Sequence, residues 1–150
     1  MAGMLFNGIP VPLVASALKS ATGNSGNLKN TATPFPVCAA AALILDVTAS
    51  SAPTTLDVAI ETSVDGGTTW YAAYEFTQVG AVSTATRRMD IRDTGIGITE
   101  VGAEASIVEV NNPIKTNTVL TQDIRVKWTI SGTSYTFAVW GIFQPMGTVF

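Results

Sequence analysis

Eleven acidic residues and no histidine set the terms on which this chain can do chemistry. Without an imidazole it lacks the usual general base near neutral pH and a frequent metal ligand. The sequence holds no Gly-x-Ser-x-Gly elbow, no Ser-His-Asp set and no Cys-His pair. Glycoside hydrolysis stays open in principle, because it needs only two carboxyl groups flanking one bond. Asp57, Glu61, Glu100, Glu104 and Glu109 are the candidates, and solvated strand faces and loops explain them more simply. Gly95-Ile96-Gly97 lacks the third glycine and the following helix of a dinucleotide site. No EF-hand spacing appears, and any metal site would have to be built from clustered carboxylates alone. The single cysteine, Cys38, lies in an apolar run and reads as a buried, inert thiol. We therefore expect no enzyme, no cofactor and no metal.

The sharpest local pattern is Ser63-Val64-Asp65-Gly66-Gly67-Thr68-Thr69-Trp70. An aspartate here can accept hydrogen bonds from turn amides, the glycines supply positive φ, and the tryptophan can pack back over the turn. The run resembles the Asp box, Ser-x-Asp-x-Gly-x-Thr-Trp, of sialidase propellers and several other β-proteins. In those families the box is a folded hairpin and not the catalytic site. The resemblance thus implies a structural turn at Ser63, Asp65, Gly67 and Trp70. A propeller would need several blades and much more chain.

The elements that must position these residues read as β. Leu43, Leu45 and Val47 alternate with Ile44, Asp46 and Thr48, Leu56, Val58 and Ile60 with Asp57, Ala59 and Glu61, and Ile124, Val126, Trp128 and Ile130 with Asp123, Arg125, Lys127 and Thr129. A period of two places each apolar set on one sheet face. The stretch from Tyr135 to Phe143 is apolar on both faces, so it is either central or meets a partner. Asp65-Gly66-Gly67 and Ser131-Gly132-Thr133 read as tight hairpins. Asn111-Asn112-Pro113 and Asp93-Thr94-Gly95 mark loops. The expected fold is all-β, a sandwich or jelly roll of about eight strands over residues 37–150.

Residues 1–36 differ from the rest. Four prolines and the turn-rich run Thr22 to Asn27 interrupt them, and Val14 to Ala21 suggest one or two helical turns. The segment is too apolar for a disordered tail, and we read it as an extended interaction arm. Leu5, Phe6, Ile9, Val11, Leu13 and Leu18 are its candidate assembly residues. Met146, Val149 and Phe150 form a second apolar set at the other terminus. No Lys or Arg precedes Lys19, and Asn7, Pro10 and Pro12 break the apolar stretch, so we read no signal peptide. The run from Val37 to Leu45 is far shorter than the ~20 residues of a membrane-spanning helix.

Composition narrows the function classes. The 150 residues are 47% apolar but only 13% charged, against about 25% in ordinary soluble domains. Low charge suits a surface partly covered by neighbours, or a small β-protein dressed in Thr, Ser and Ala. The net charge is −3, and the eight Lys and Arg are scattered. Their densest group, Arg87, Arg88 and Arg92, is interleaved with Asp90 and Asp93 and reads as solvated ion pairs. No nucleic-acid partner and no membrane is expected.

Residues 43–144 resemble small structural proteins of tailed-bacteriophage virions, above all capsid decoration or cement proteins. Four runs carry the likeness: Leu56-Asp57-Val58-Ala59-Ile60-Glu61, the Ser63–Trp70 run, Phe76-Thr77-Gln78-Val79, and Ile124-Arg125-Val126-Lys127-Trp128-Thr129-Ile130-Ser131-Gly132. The resemblance implies a jelly-roll or β-tulip-like protein, made in the host cytoplasm and bound to the capsid surface. Its partners would be the major capsid protein and copies of itself in a homotrimer. A tail or head–tail connector component is the nearest alternative. A carbohydrate-binding module using Trp70, Tyr71, Tyr74, Trp128, Tyr135 and Trp140 is the alternative from another class.

Overall fold

The computed structural model describes residues 10–29, 38–93, 98–101 and 123–145, with backbone alone at 38–40, 90–93, 98–101 and 144–145. Among these residues the protein is all-β, without a helix. The strands are β1 (Pro10–Lys19), β2 (Gly23–Asn24), β3 (Cys38–Thr62), β4 (Tyr71–Glu75), β5 (Ala85–Asp93), β6 (Ile98–Val101) and β7 (Ile124–Pro145). They form one antiparallel sheet in the order β1-β7-β3-β5-β6, with β2 also on β7 and β4 also on β3.

Two long strands organise everything else. β3 has 25 residues and β7 has 22, and they pair from Cys38 opposite Pro145 to Thr62 opposite Ile124. The three extra residues of β3 are taken up at three register shifts, after Cys38, Val47 and Pro53. Such bulges bend a strand and increase its twist. The ladder therefore has two halves. In the terminal half, residues 40–47 of β3 pair with β7 and β5, and β1 lies on the far side of β7. In the loop half, residues 55–62 of β3 pair with residues 124–131 of β7, flanked by β4 and β2.

The bend between the halves is sharp. Trp128 and Phe137 are nine residues apart on β7, which is ~30 Å of extended strand. Their rings nevertheless meet edge to face with centroids 5.7 Å apart. At the corner, Ala52 has φ 41° and Gly132 has φ 101°. A Cβ on Gly132 would lie 2.6 Å from the Ala52 carbonyl oxygen and 2.7 Å from the Thr54 nitrogen, so only glycine fits there. The inward-facing set also changes parity at this point. It runs Leu43, Leu45, Val47 and then Leu56, Val58, Ile60 in β3, and Val126, Trp128 and then Tyr135, Phe137, Val139 in β7.

These inward sets make one core. Tyr135, Phe137, Leu43, Leu45 and Leu56 are completely buried, and residues from both halves belong to the same cluster. Each such side chain is worth about 1.5–3 kcal/mol in burial alone. The Tyr135 hydroxyl donates to the Gly80 carbonyl at 3.1 Å, which satisfies its polar end inside the core.

Several expectations are corrected here. Ser131-Gly132-Thr133 is not a hairpin but the corner of a continuous β7, because the glycine admits the β3 backbone rather than reversing the chain. Two pairs of expected strands are therefore single bent strands, and the described residues hold seven strands. Val14 to Lys19 is strand, not helix, because pairing with β7 outweighs local propensity. The described part of the arm is not separate from the domain. β1 lies in the sheet, Leu13, Val14 and Leu28 are buried in its core, and the Trp128 indole donates to the Ala21 carbonyl at 3.0 Å. Arg87 and Arg88 do not form one solvated group. Adjacent residues on β5 face opposite sides, Arg87 opposite core Leu45 and Arg88 opposite Ile44, and both are half-buried.

Candidate functional site

The β3–β4 connection, residues 63–70, is a rigid loop organised by two side chains. Ser63 is completely buried. Its hydroxyl donates to Asp65 Oδ1 at 2.7 Å and accepts from the Gly67 amide at 2.8 Å. Asp65 Oδ1 also accepts from the Thr69 amide at 2.8 Å and the Thr68 amide at 3.1 Å. The Thr69 amide, then the Thr69 and Ser63 hydroxyls, hold the Asp65 carboxyl down to about 2. Gly67, at φ 96°, turns its carbonyl to the Trp70 indole, which donates at 2.9 Å. Asp65-Gly66-Gly67 thus sits inside an eight-residue loop rather than a two-residue turn.

This arrangement folds a loop and leaves nothing to attack a substrate. The Ser63 proton is committed to Asp65, and its oxygen is out of reach of solvent. Activation of a serine needs a base that takes its proton and lets it point at a reacting atom.

Residues far apart in sequence complete the same end of the molecule. Arg125 stands over the Trp70 ring at 4.4 Å, and its Nε donates to Glu61 Oε2 at 2.6 Å across the β3–β7 ladder. Asn27 Nδ2 donates to Asp123 Oδ1 at 2.7 Å, and Lys29 Nζ lies 3.7 Å from the same oxygen. The Asp123 carbonyl accepts from the Ser63 amide, tying the loop to β7. Sequence reading missed Asn27, Glu61, Asp123 and Arg125 as a group. The only signal is that Glu61 and Arg125 fall on the polar side of alternating strands.

The aromatic candidates are scattered in role. Tyr74, Trp128 and Tyr135 are core residues, Trp70 is covered by Arg125, Trp140 is half-buried on the opposite face of the terminal half, and Tyr71 is exposed. They do not line up as a sugar-stacking platform. Among the described residues no three metal-ligating side chains converge, and no helix is long and apolar enough to cross a membrane.

The candidate assembly residues also separate. Leu13 belongs to the core, which corrects its reading as a contact residue, and Val11 packs half-buried against that core. Leu18 is 67% exposed. Leu5, Phe6, Ile9, Met146, Val149 and Phe150 lie outside the described residues, as do Glu104, Glu109, residues 94–97 and Asn111-Asn112-Pro113. The Cys38 side chain and the Glu100 side chain are likewise outside the description. The register nevertheless fixes where the terminal segments attach. Pro10 is opposite Ile142, and Pro145 is opposite Cys38, so the first residue of β1 and the last of β7 lie at the same end of the sheet. That end lies beyond the terminal half, at the other end of the ladder from the Ser63–Trp70 loop. Comparison with protein families, with curated proteins and with solved structures finds no match to this chain.

Proposed function

We propose that this chain is a virion structural protein, a capsid decoration or cement protein that stabilises a phage head by binding the assembled shell. In this reading the bent sheet is a jelly-roll or β-tulip-like sandwich. Its partners are the major capsid protein and copies of itself, arranged as a homotrimer on the capsid surface. The mechanism is linkage. A protein that binds the assembled lattice and not its separate subunits shifts the equilibrium towards the lattice. Many modest contacts on one lattice add through effective concentration.

The observation that carries the proposal is the shared exit of the terminal segments. Residues 1–9 supply Leu5, Phe6 and Ile9, and residues 146–150 supply Met146, Val149 and Phe150. The described residues to which they are joined, Pro10 and Pro145, lie at the same end of the sheet. The low charge of the chain agrees with a surface that is partly covered in use.

The test is co-sedimentation with undecorated heads of a tailed phage. Deleting residues 1–30 would remove Leu13, Val14 and Leu28 from the core, so the informative deletion is residues 1–9. Saturable binding by the full chain, weakened about tenfold or more by that deletion, supports the proposal. Absence of binding, with rings or tubes formed by the full chain alone, overturns it in favour of a tail or connector role.

A further inference from the structure

We infer that residues 10–29 of one copy dock along β7 of a second copy of this chain, so that copies are joined by exchanged arms. The inference goes beyond the cement reading and holds whether or not the protein binds a shell. The docking surface is the edge of β7, and the structure shows what fits it. Among the described residues, β1 and β2 pair with β7 and with no other strand. Past β2 the contact continues through side chains as well as backbone. The Val126 amide donates to Ser25 Oγ at 3.0 Å, and the Ile130 amide donates to Thr22 Oγ1 at 3.1 Å. The Ser25 and Leu28 amides donate to the Val126 and Ile124 carbonyls at 2.9 and 2.8 Å. Lys19 Nζ stands over the Trp128 and Phe137 rings at 5.2 and 4.9 Å.

The direction of the arm argues for a second copy. It starts with Pro10 opposite Ile142 and reaches Leu28 beside Ile124, so it follows β7 from the terminal half to the end of the loop half. That path is ~60 Å of extended strand. Cys38, where β3 begins, lies opposite Pro145, back at the end from which the arm set out. The return from Lys29 to Cys38 is left to residues 30–37, which reach at most ~30 Å. Pro34 and Pro36 are among them, and a proline fixes its own φ. Closure within one chain therefore holds only while the ladder stays bent at Ala52 and Gly132 and keeps its ends within that reach.

A short, stiff connection between a terminal element and its dock favours exchange of that element between identical copies. Exchange keeps every contact of the arm, because the incoming segment has the same sequence, and it removes the limit on reach. Releasing the arm without exchange would instead strip Leu13, Val14 and Leu28 from the core and uncover Trp128. The second copy is therefore the one partner that relieves the connection at no loss of packing.

The test traps the arm where it lies, in the purified full chain. Cys38→Ala removes the natural thiol, and Asn24→Cys with Lys127→Cys then sets two thiols at paired positions of β2 and β7. Leu18→Cys with Thr136→Cys does the same for β1 and β7. Opposed residues of an antiparallel pair stand close enough for a disulfide. Thermal melts establish that each variant folds, and variants with one cysteine of each pair control for chance collision. After oxidation, a denaturing gel without reductant separates chains joined to one another from chains closed on themselves. We expect joined chains from both pairs, exceeding self-closed chains about tenfold and reverting with reductant. Inserting about six Gly and Ser residues after Thr33 should shift that ratio about tenfold towards the self-closed form. Self-closed chains alone from both pairs, at every protein concentration, would overturn the inference. That outcome leaves the cement reading untouched, since binding to heads is read separately by co-sedimentation.

Discussion

The two halves of the β3–β7 ladder share their strands, their antiparallel pairing and their core, yet they differ on the outside. The loop half turns Asp57, Glu61, Arg125 and Lys127 outwards and ends in a loop locked by Ser63 and Asp65. The terminal half turns Ile44, Trp140 and Ile142 outwards and ends where residues 1–9 and 146–150 attach. Folding explains the inner faces of both halves, because each needs apolar cover. The outer faces differ because one half carries charged side chains at paired positions and the other carries Ile44, Trp140 and Ile142.

The strongest way to break the comparison is to break the corner that creates two halves. Gly132→Ala puts a Cβ against the Ala52 carbonyl and the Thr54 amide and strains a φ of 101°. We expect a loss of about 3–5 kcal/mol in urea unfolding, from backbone strain and overpacking together. Ala52→Gly at the facing position relieves a φ of 41° and should be neutral or stabilising by under about 1 kcal/mol. Equal losses at both positions would show that the corner is not glycine-specific.

A smaller effect sharpens the distinction between structural and displayed residues within β1. Leu13→Ala should cost about 2–4 kcal/mol, since its side chain lies in the core. Leu18→Ala should stay within about 0.5 kcal/mol, since it is exposed. Equal costs would place both residues in the same environment and return β1 to the status of a detached arm.

How much of this was legible in the sequence follows from the range over which each signal acts. The alternation of Leu43, Leu45 and Val47, and of Leu56, Val58 and Ile60, is local, and it specifies strands and their inward faces. The Ser63–Trp70 loop is largely local as well, since the side-chain hydrogen bonds that shape it span at most four residues. The corner was not legible, because Ser131-Gly132-Thr133 has the composition of a hairpin turn. What makes it a corner is the β3 backbone, about 80 residues away in sequence, pressing on Gly132. β1 was misread for a similar reason. Its prolines and alanines carry little strand signal, and its pairing with β7 is the longest-range strand pairing among the described residues. Of the candidate site, the doubly apolar stretch from Tyr135 to Phe143 was visible in sequence. Its partner Ile44 was not, since that pairing depends on the register.

The smallest effect separates two carboxylates of the loop half by the sign of their pH dependence. Asp65 is held to about 2 by the Thr69 amide, then by the Thr69 and Ser63 hydroxyls. Its folded value lies below its unfolded value, so its contribution to stability is present above the ordinary aspartate range and is lost as pH falls through about 2. Glu75 is pushed up from the ordinary glutamate value by partial burial first and then by the Asp57 charge. Its folded value lies above its unfolded value. Ionising it therefore lowers stability as pH rises through the glutamate range, and the penalty is absent at lower pH. Melting temperatures at pH 7, 4 and 2 check both signs. Asp65→Asn should lower the melting point at pH 7, with the deficit shrinking towards pH 2. Glu75→Gln should raise it slightly at pH 7 and leave it unchanged at pH 2. Glu75 is only half-buried, so the effect of its substitution is expected to be small. A destabilised Glu75→Gln at pH 7 would mean that its charge is matched by a cation rather than opposed by Asp57.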